Sequence, residues 1–331
     1  MARTLLANFI APPQRLFTSV EAEEISRAYG FLWDDGAASM WPFGRLRGPG
    51  DDALRYRSPT EVPICAAPPG QSSADLALAV ARSVFDALGE TQRASIDAII
   101  YCHSSIDEAW TGSPAGRLSF ELGMPRVLSF AVSQVHNCAF FTGLQIAQAL
   151  LDGPEALRAV LIVAADKWLY PYVRSFGPLA CFGDGAGALY IHRDSDPGFE
   201  LLHVELSASR ERSSVFTAAA SFEPGLFAKR VVDVIAAALK HAGITPAQVD
   251  LVIPQNYDVS LIRLIQDRAG LDPERVYLDG HRRHGHLSSA DTIANFVGAT
   301  AAGVHRGKIL LLWGLGLNGE AACCLLRASG S

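Results

Sequence analysis

No stretch of this 331-residue chain approaches the roughly 18 consecutive apolar residues that a membrane-spanning helix needs. The opening run, MARTLLANFIAPPQ, holds too short an apolar segment for a secretory signal, so a soluble protein without membrane contact is expected. Basic charge is also scarce. The 28 Lys and Arg stand against 34 Asp and Glu, a net charge of −6 that argues against general nucleic-acid binding. Cysteine is sparse too: six residues, at 65, 102, 138, 181, 323 and 324, lack both the paired spacing of a metal site and the density of a disulfide framework. A reducing, cytoplasmic setting without a bound metal is the expectation.

What is present is apolar and regular. At 49% hydrophobic and 19% charged, the chain can bury a large core in one or two domains. It opens with a strand-like run, Thr4 to Ile10, closed by Pro12 and Pro13, and a helix is expected over Val20 to Tyr29. Trp33 to Gln71 is rich in Gly, Pro and Asp and carries Arg45, Arg47, Arg55 and Arg57. This is either a functional covering loop or a set of short strands. From Ser72 the pattern settles into alternation. Helices are expected over Ser73 to Leu88, Ala115 to Leu122 and the residues after Cys138, with strands at Ile96 to Cys102, Val127 to Val132 and Ala159 to Ala164. CFGDGAGALYI, Cys181 to Ile191, reads as a Gly-rich turn into a further strand.

The second half repeats this order. A helix (Phe227 to Ala242) leads to VDLVI, which echoes IDAIIY, and LIRLIQDRAGLDPERVYL matches GRLSFELGMPRVLSF. SSADTIANFVGATAAG then takes the place of the Cys138 helix, KILLLW answers AVLIVAA, and AACCLL answers the strand after the Gly-rich turn. Five elements in one order indicate an α/β fold of two duplicated halves, residues 1–195 and 196–331, with helix-covered sheets.

Within VSQVHNCAFFTGLQIAQALL, Val132 to Leu151, a strand feeds a polar turn and Cys138 opens an apolar-periodic helix. Free N–H groups and the helix dipole there favour a thiolate, which makes Cys138 a candidate nucleophile. A small core cysteine beside Phe140 and Phe141 is the competing reading. If the equivalent central helices of the two halves pack together, their N-terminal turns face one pocket. His286, in HRRHGHLSSAD, precedes the second helix, so Cys138 and His286 form a candidate nucleophile and base pair.

FGDGAGA (Phe182 to Ala188), the order of elements, Cys138 at its helix, LIRLIQDRAGL and the Gly-rich penultimate turn together resemble the ketoacyl synthase III branch of the thiolase superfamily, across essentially the whole chain. The resemblance implies a thiolase fold, with duplicated βαβαβαββ halves in five αβαβα layers, and a homodimer. It also implies acyl transfer from a coenzyme A or acyl-carrier-protein thioester onto the cysteine, with no permanently bound cofactor.

The chain departs from that pattern at two places. Condensing members carry a His after a Pro where this chain reads IPQNYD, so Gln255 stands in its place, and neither Asn256 nor Asp258 restores an imidazole. They carry an Asn after a Gly where this chain has Gly285 and His286. The donor pair for a decarboxylating malonyl group is therefore altered. A Cys-His-acid set remains, similar to that of acyltransferase members in natural-product pathways. In that scheme Cys138 takes the acyl group, with backbone N–H groups at Cys138 and in the Gly314 to Gly316 turn as oxyanion donors. His286 then deprotonates the hydroxyl or amine of a small-molecule acceptor. Asp291 is the first choice for the acid that orients the ring, with Glu320 as rival; an ordinary first-turn acid is the alternative for Asp291. A decarboxylative condensing enzyme and a non-catalytic partner subunit of a synthase pair stay open.

Other signals carry less. GLGLNG, Gly314 to Gly319, matches G-x-G-x-x-G, but AACCLL after it leaves no room for the helix, strand and acid of a dinucleotide site. His281, His284 and His286 lie with two arginines and no carboxylate cluster, which does not suit a metal. His136, two residues before Cys138, is either a second imidazole of the pocket or a turn residue. Arg282 and Arg283 could contact coenzyme A phosphates or an acidic carrier, or form a solvated face.

Overall fold

Strands form where the chain is apolar without interruption, and helices where apolar residues recur every three or four positions. In chain order these are β1 (Thr4–Ile10), β2 (Arg15–Phe17), β3 (Ile64–Ala66), α1 (Ser73–Ala87), α2 (Glu90–Ala94), β4 (Ile96–Cys102), α3 (Pro114–Glu121), β5 (Leu128–Val132), α4 (Ala139–Asp152) and β6 (Ala159–Asp166). After them come β7 (Ser175–Phe176), β8 (Ala180–Cys181), β9 (Gly185–His192), β10 (Phe199–Ser207), α5 (Pro224–Ala242), β11 (Leu251–Pro254) and α6 (Val259–Arg268). The chain closes with α7 (Asp279–Arg283), α8 (Asp291–Thr300), β12 (Ile309–Leu315) and β13 (Ala321–Ala328). This computed structural model describes residues 4–10, 15–17, 64–68, 70–105, 112–153, 157–168, 175–176, 180–194, 198–207, 224–304, 306–316 and 319–329. The helix expected over 20–29, the stretch from Trp33 to residue 63 and its four arginines lie outside the described residues.

The long strands form one nine-stranded sheet in the order β11-β12-β13-β10-β1-β9-β6-β4-β5. At one end β4 runs parallel to β5 and β6, β6 antiparallel to β9, and β9 antiparallel to β1. The other end follows the same scheme: β11 parallel to β12, β12 antiparallel to β13, and β13 antiparallel to β10. Where the first end has β5 beside β4, the second has a single parallel bridge from Val276 to Val252 of β11.

Burial sorts the elements into layers. One face of β4 and β6 (Ile99, Tyr101, Leu161, Val163) packs on Leu76, Val80 and Val84 of α1 and Leu118 of α3. The other face (Ile100, Cys102, Ile162, Ala164) packs on Phe140, Leu144 and Ala147 of α4, which shares its core with Ile293 and Phe296 of α8 and Leu310 and Leu312 of β12. The far side of β12 and β13 (Leu311, Trp313, Cys323, Leu325) is covered by Val231, Ile235 and Leu239 of α5 and Leu261 and Ile265 of α6. The order is helices, sheet, central helices, sheet, helices, the five layers that the family resemblance implied.

Local chemistry sets the boundaries. Ser72 and Asp75 form a reciprocal capping box that starts α1. Gly143 lets α4 approach β4, since a Cβ there would stand 2.5 Å from the Cys102 sulfur. The structure also differs from the sequence reading, which gives no element at β2, α2, β7 or β8. β10 was not anticipated, and the basic segment read as loop contains α7.

Candidate active site

The two central helices begin in the same way. Each follows a 3-10 turn, His136–Cys138 before α4 and Ser288–Ala290 before α8. Cys138 N–H donates to the Val135 carbonyl at 3.1 Å, and Ala290 N–H donates to the Leu287 carbonyl at 3.1 Å. The first residue of each turn is left-handed, His136 at φ 49° and Ser288 at φ 54°. By this correspondence Cys138 matches Ala290, Asp291 matches Ala139, and His286 matches Gln134, itself at φ 66°. The nucleophile and base candidates are thus offset by four positions of the repeat rather than equivalent. The two turns pack against each other.

Tyr257 ties the two turns together. Its hydroxyl accepts from the Asn137 side-chain amide at 2.8 Å and donates to the Leu315 carbonyl, while its ring meets the His286 ring edge-on at 4.6 Å between centroids. Phe182, in the FGDGAGA segment, holds another edge of His286 at 5.0 Å. One buried tyrosine therefore links Asn137, the residue before Cys138, to the ring of His286. Sequence reasoning passed over Tyr257, because an isolated tyrosine carries no pattern.

Cys138 is the residue immediately before the first turn of α4, not within that turn, and it is buried. Burial holds the thiol well above its ordinary pKa; the nearby Glu320 charge adds to this, and the Gly316 N–H acts against it. The helix-dipole expectation of a thiolate is thereby outweighed, and the cysteine rests as a thiol. Its Sγ lies 3.7 Å from the Glu320 carbonyl. The backbone donors expected to serve an oxyanion are turned inward: Cys138 N–H onto Val135, and Gly316 N–H onto the Glu320 carbonyl at 2.7 Å.

His286 is buried completely, as is Asp291. Its Nδ1 accepts from the Ser288 N–H at 2.9 Å, which puts the ring proton on Nε2, and Nε2 has no partner among the described residues. Asp291 Oδ2 stands 3.6 Å from Nδ1, beyond a hydrogen bond. Burial drives His286 down to about 3, helped by the positive fields of His281 and His284. Burial also pushes Asp291 up to about 8, against hydrogen bonds from Asn256 and Leu287. The acid and imidazole are thus adjacent, each shifted by burial toward its neutral form.

Gln255 and Asn256 face inward. Gln255 Nε2 donates to the Asn137 carbonyl at 2.8 Å and to Thr292 Oγ1 at 3.3 Å, and its Oε1 accepts from Leu315 N–H at 3.1 Å. Asn256 donates its N–H and side-chain amide to Asp291 at 2.5 and 2.8 Å, and exchanges hydrogen bonds with Asn295. Asp258 caps α6 instead, accepting from Ser260 N–H at 2.9 Å. Asp166 braces the same region from below: fully buried, it accepts from the N–H groups of Ser104, Ser105 and Ser289 at 2.6, 2.7 and 2.9 Å.

Glu320, the rival acid, stands beside His136, with Oε2 3.9 Å from Nδ1. His281 lies in α7, and His284 Nδ1 bonds the Gly285 carbonyl at 2.9 Å. Among the described residues no group of three His, Cys, Asp or Glu is placed to hold a metal, and no helix is long and apolar enough to cross a membrane.

Comparison with known proteins bears on the same residues. The 3-oxoacyl-[acyl-carrier-protein (ACP)] synthase III family matches residues 134–209, which open at the Cys138 turn, and its C-terminal family matches residues 239–328, which hold Gln255 to Asp291. The beta-ketoacyl-[acyl-carrier-protein] synthase III of Roseobacter denitrificans is 26% identical over 289 residues, 80% of this chain and 87% of its own. That of Laribacter hongkongensis is 28% identical over 268 residues, 75% and 81%. Among solved structures, ChlB3, named an acyltransferase, superposes with a TM-score of 0.73 at 20% identity, covering 99% of this chain and 97% of its own. The Thermus thermophilus synthase III gives a TM-score of 0.72 at 19% identity over 99% of each chain.

Proposed function

This chain belongs to the ketoacyl synthase III-like branch of the thiolase superfamily, and from that premise we propose that it is an acyltransferase working through an acyl-cysteine. The donor is a coenzyme A or acyl-carrier-protein thioester, the acceptor a small molecule with a hydroxyl or amine, and the setting a natural-product pathway in the reducing cytoplasm. No permanently bound cofactor takes part. The first half, residues 1–195, supplies the nucleophile Cys138 and the second, 196–331, supplies His286.

The observation that carries this reading is the commitment of Gln255 and Asn256. A condensing site needs a donor at this position for the malonyl enolate. The Gln255 donors go to Asn137 and Thr292, and the Asn256 donors go to Asp291, Gly285 and Asn295. Beside them lies the buried His286 imidazole, whose Nε2 has no partner among the described residues.

The Cys138 sulfur attacks the thioester carbonyl and expels the donor thiol, and the acceptor then attacks the acyl-cysteine. His286 takes the acceptor's proton at Nε2, the acyl carbon–sulfur bond breaks, and the imidazolium returns that proton to the departing Cys138 sulfur. Base action there needs Nδ1–H, so the reading includes a small turn of the ring from Ser288 toward Asp291, closing the present 3.6 Å. Asp291, as a carboxylate, holds that tautomer. The likeness in fold to ChlB3 supports the reading. The homodimer belongs to it too: β5 ends the sheet with Leu128 half exposed, an edge that a second copy would cover.

A second reading, decarboxylative condensation, is favoured by the names of the sequence relatives. One experiment separates the two. Incubation with acyl and malonyl thioesters, read by intact mass, is expected to add acyl mass to the wild type and none to Cys138→Ala. His286→Ala is expected to load and then fail to pass the acyl group to hydroxyl or amino acceptors. Release of carbon dioxide from malonyl thioester with C–C bond formation would replace this reading by the second.

A further inference from the structure

The His286 carbonyl accepts from the Gly183 N–H at 2.7 Å, and its ring lies edge-on to Phe182 and Tyr257, so the residue is well fixed. Its ring proton is placed by a single hydrogen bond, from Ser288 N–H to Nδ1 at 2.9 Å. That N–H is aimed at the ring by the left-handed backbone of Ser288, φ 54°. Such a conformation costs a non-glycine residue free energy and persists only where the surroundings hold it. Here the hold comes from the end of β6 and the residues after it. Trp168 Nε1 donates to Ser288 Oγ at 2.8 Å, and both residues are buried. An indole N–H can only donate, so the direction of this bond is fixed. Trp168 is anchored in turn: its backbone N–H donates to Asp184 Oδ1 at 2.9 Å, and its ring stacks on Phe182 with centroids 4.7 Å apart. Asp166 takes the N–H of the next turn residue, Ser289, at 2.9 Å.

We propose that Trp168 is a positioning residue for His286: by holding Ser288 in its left-handed turn, the indole keeps the ring proton on Nε2, the idle form of the base. The use of this latch in transfer rests on the acyl-cysteine reading. Without the indole N–H, Ser288 is free to leave the strained conformation, and its own N–H then swings off Nδ1. The ring proton moves from Nε2 to Nδ1, which faces Asp291 Oδ2 across 3.6 Å. Nε2 is left with a bare lone pair that can accept a proton. Trp168 therefore acts through Ser288, and it sets how often the base is available to an acyl-enzyme. Ser289 stays tied to Asp166 in either state, so the turn shifts at one residue rather than coming apart.

The test is heteronuclear NMR of the full chain carrying isotope-labelled histidine, with no acyl donor present. The His286 ring nitrogens are assigned from the signals missing in His286→Ala, and their shifts tell which one bears the proton. The wild type is expected to carry it on Nε2. Trp168→Phe keeps an aromatic ring against Phe182 and loses the N–H. Its ratio of the Nδ1–H to the Nε2–H form should rise about two- to tenfold, the usual worth of one hydrogen bond. Ser288→Ala removes the accepting oxygen with Trp168 left in place and should give the same rise; it decides alone if Trp168→Phe does not fold. Glycine adopts the left-handed turn without strain, so adding Ser288→Gly to Trp168→Phe should bring the ratio back toward the wild type. A merely structural indole would not be rescued in that way. Single-turnover transfer from preloaded acyl-enzyme should quicken in Trp168→Phe by the same factor, with the acceptor KM unchanged. A wild-type proton on Nδ1, or an unchanged ratio in both Trp168→Phe and Ser288→Ala, overturns the latch and leaves the acyl-cysteine reading standing. A shifted ratio in a protein whose wild type never gains acyl mass supports the latch and overturns the acyl-cysteine reading instead.

Discussion

Asn256 gives both its backbone N–H and its side-chain amide to Asp291, gripping the two carboxylate oxygens at 2.5 and 2.8 Å inside the protein. The same amide reaches the Gly285 carbonyl at 2.8 Å, directly before His286. Asn256→Ala would leave Asp291, Gly285 and Asn295 each short of a buried partner. A loss of roughly 3 kcal/mol is expected, since each unsatisfied buried group costs on the order of 1–3 kcal/mol. Urea unfolding of the variant checks it; a loss under about 1 kcal/mol would show that water fills the amide's place.

Tyr257 joins the two turns through one hydroxyl, which bonds Asn137 beside the nucleophile and the Leu315 carbonyl at the end of β12. Tyr257→Phe keeps the ring against His286 and removes only the oxygen. The variant should lose about 1–3 kcal/mol in stability, because two buried groups lose a partner. Acyl loading should fall further than transfer, since the hydroxyl reaches the Cys138 turn and not the imidazole. Thermal melts and separate loading and transfer rates measure the two effects.

Much of this fold was legible because its strands are buried on both faces. Every residue of β6, β9 and β12 is inaccessible, and such strands read as uninterrupted apolar runs. β10, FELLHVELS, buries only Leu201 and Val204, carries charge between its apolar residues and shifts register between Leu201 and His203, so it has neither an uninterrupted apolar run nor a clean alternation. α7, DGHRR, spans five residues with no apolar period, so it read as loop. Cys138 and His286 stood out through the repeat, but the repeat alone could not give their four-position offset, which depends on where each 3-10 turn begins. Gln255 was recognisable as a substitution. Its service to Asn137, Thr292 and Leu315 depends on residues 37 to 118 positions away, and no local pattern encodes such contacts.

Gly143 tests the packing of the nucleophile helix. A Cβ at this position meets the Cys102 sulfur at 2.5 Å and an Ile100 methyl at 3.4 Å, both in the core of β4, so α4 must shift to admit it. Gly143→Ala should cost about 1–3 kcal/mol from overpacking, less the few tenths to 1 kcal/mol that alanine gains in a helix. Because α4 carries Cys138 at its start, acyl loading should fall along with the melting temperature. Normal loading in a destabilised variant would mean that the turn holds its position independently of the helix.

The Asp291 and His286 pair makes stability and transfer respond to pH in opposite directions. Asp291 is raised from 3.8 to about 8, so between those values the folded chain holds a proton that the unfolded chain has lost. Its contribution is complete below about 3.8 and falls as pH rises through 8. His286 is lowered from 6.5 to about 3, so the folded chain holds fewer protons there; its contribution is present above 6.5 and is lost as pH falls through 3. The two slopes oppose each other from 3.8 to 6.5, and from 6.5 to 8 Asp291 acts without His286. In that upper window stability should drop by up to about 1.4 kcal/mol per pH unit. Over the same window transfer from the acyl-enzyme should quicken, because only the carboxylate holds the Nδ1–H tautomer that frees Nε2 to act as base. Asp291→Asn should flatten both profiles. Urea unfolding and single-turnover transfer, measured at pH 6.5 and 8 on wild type and variant, read the two arms. Parallel slopes in both proteins would mean that another group governs the window.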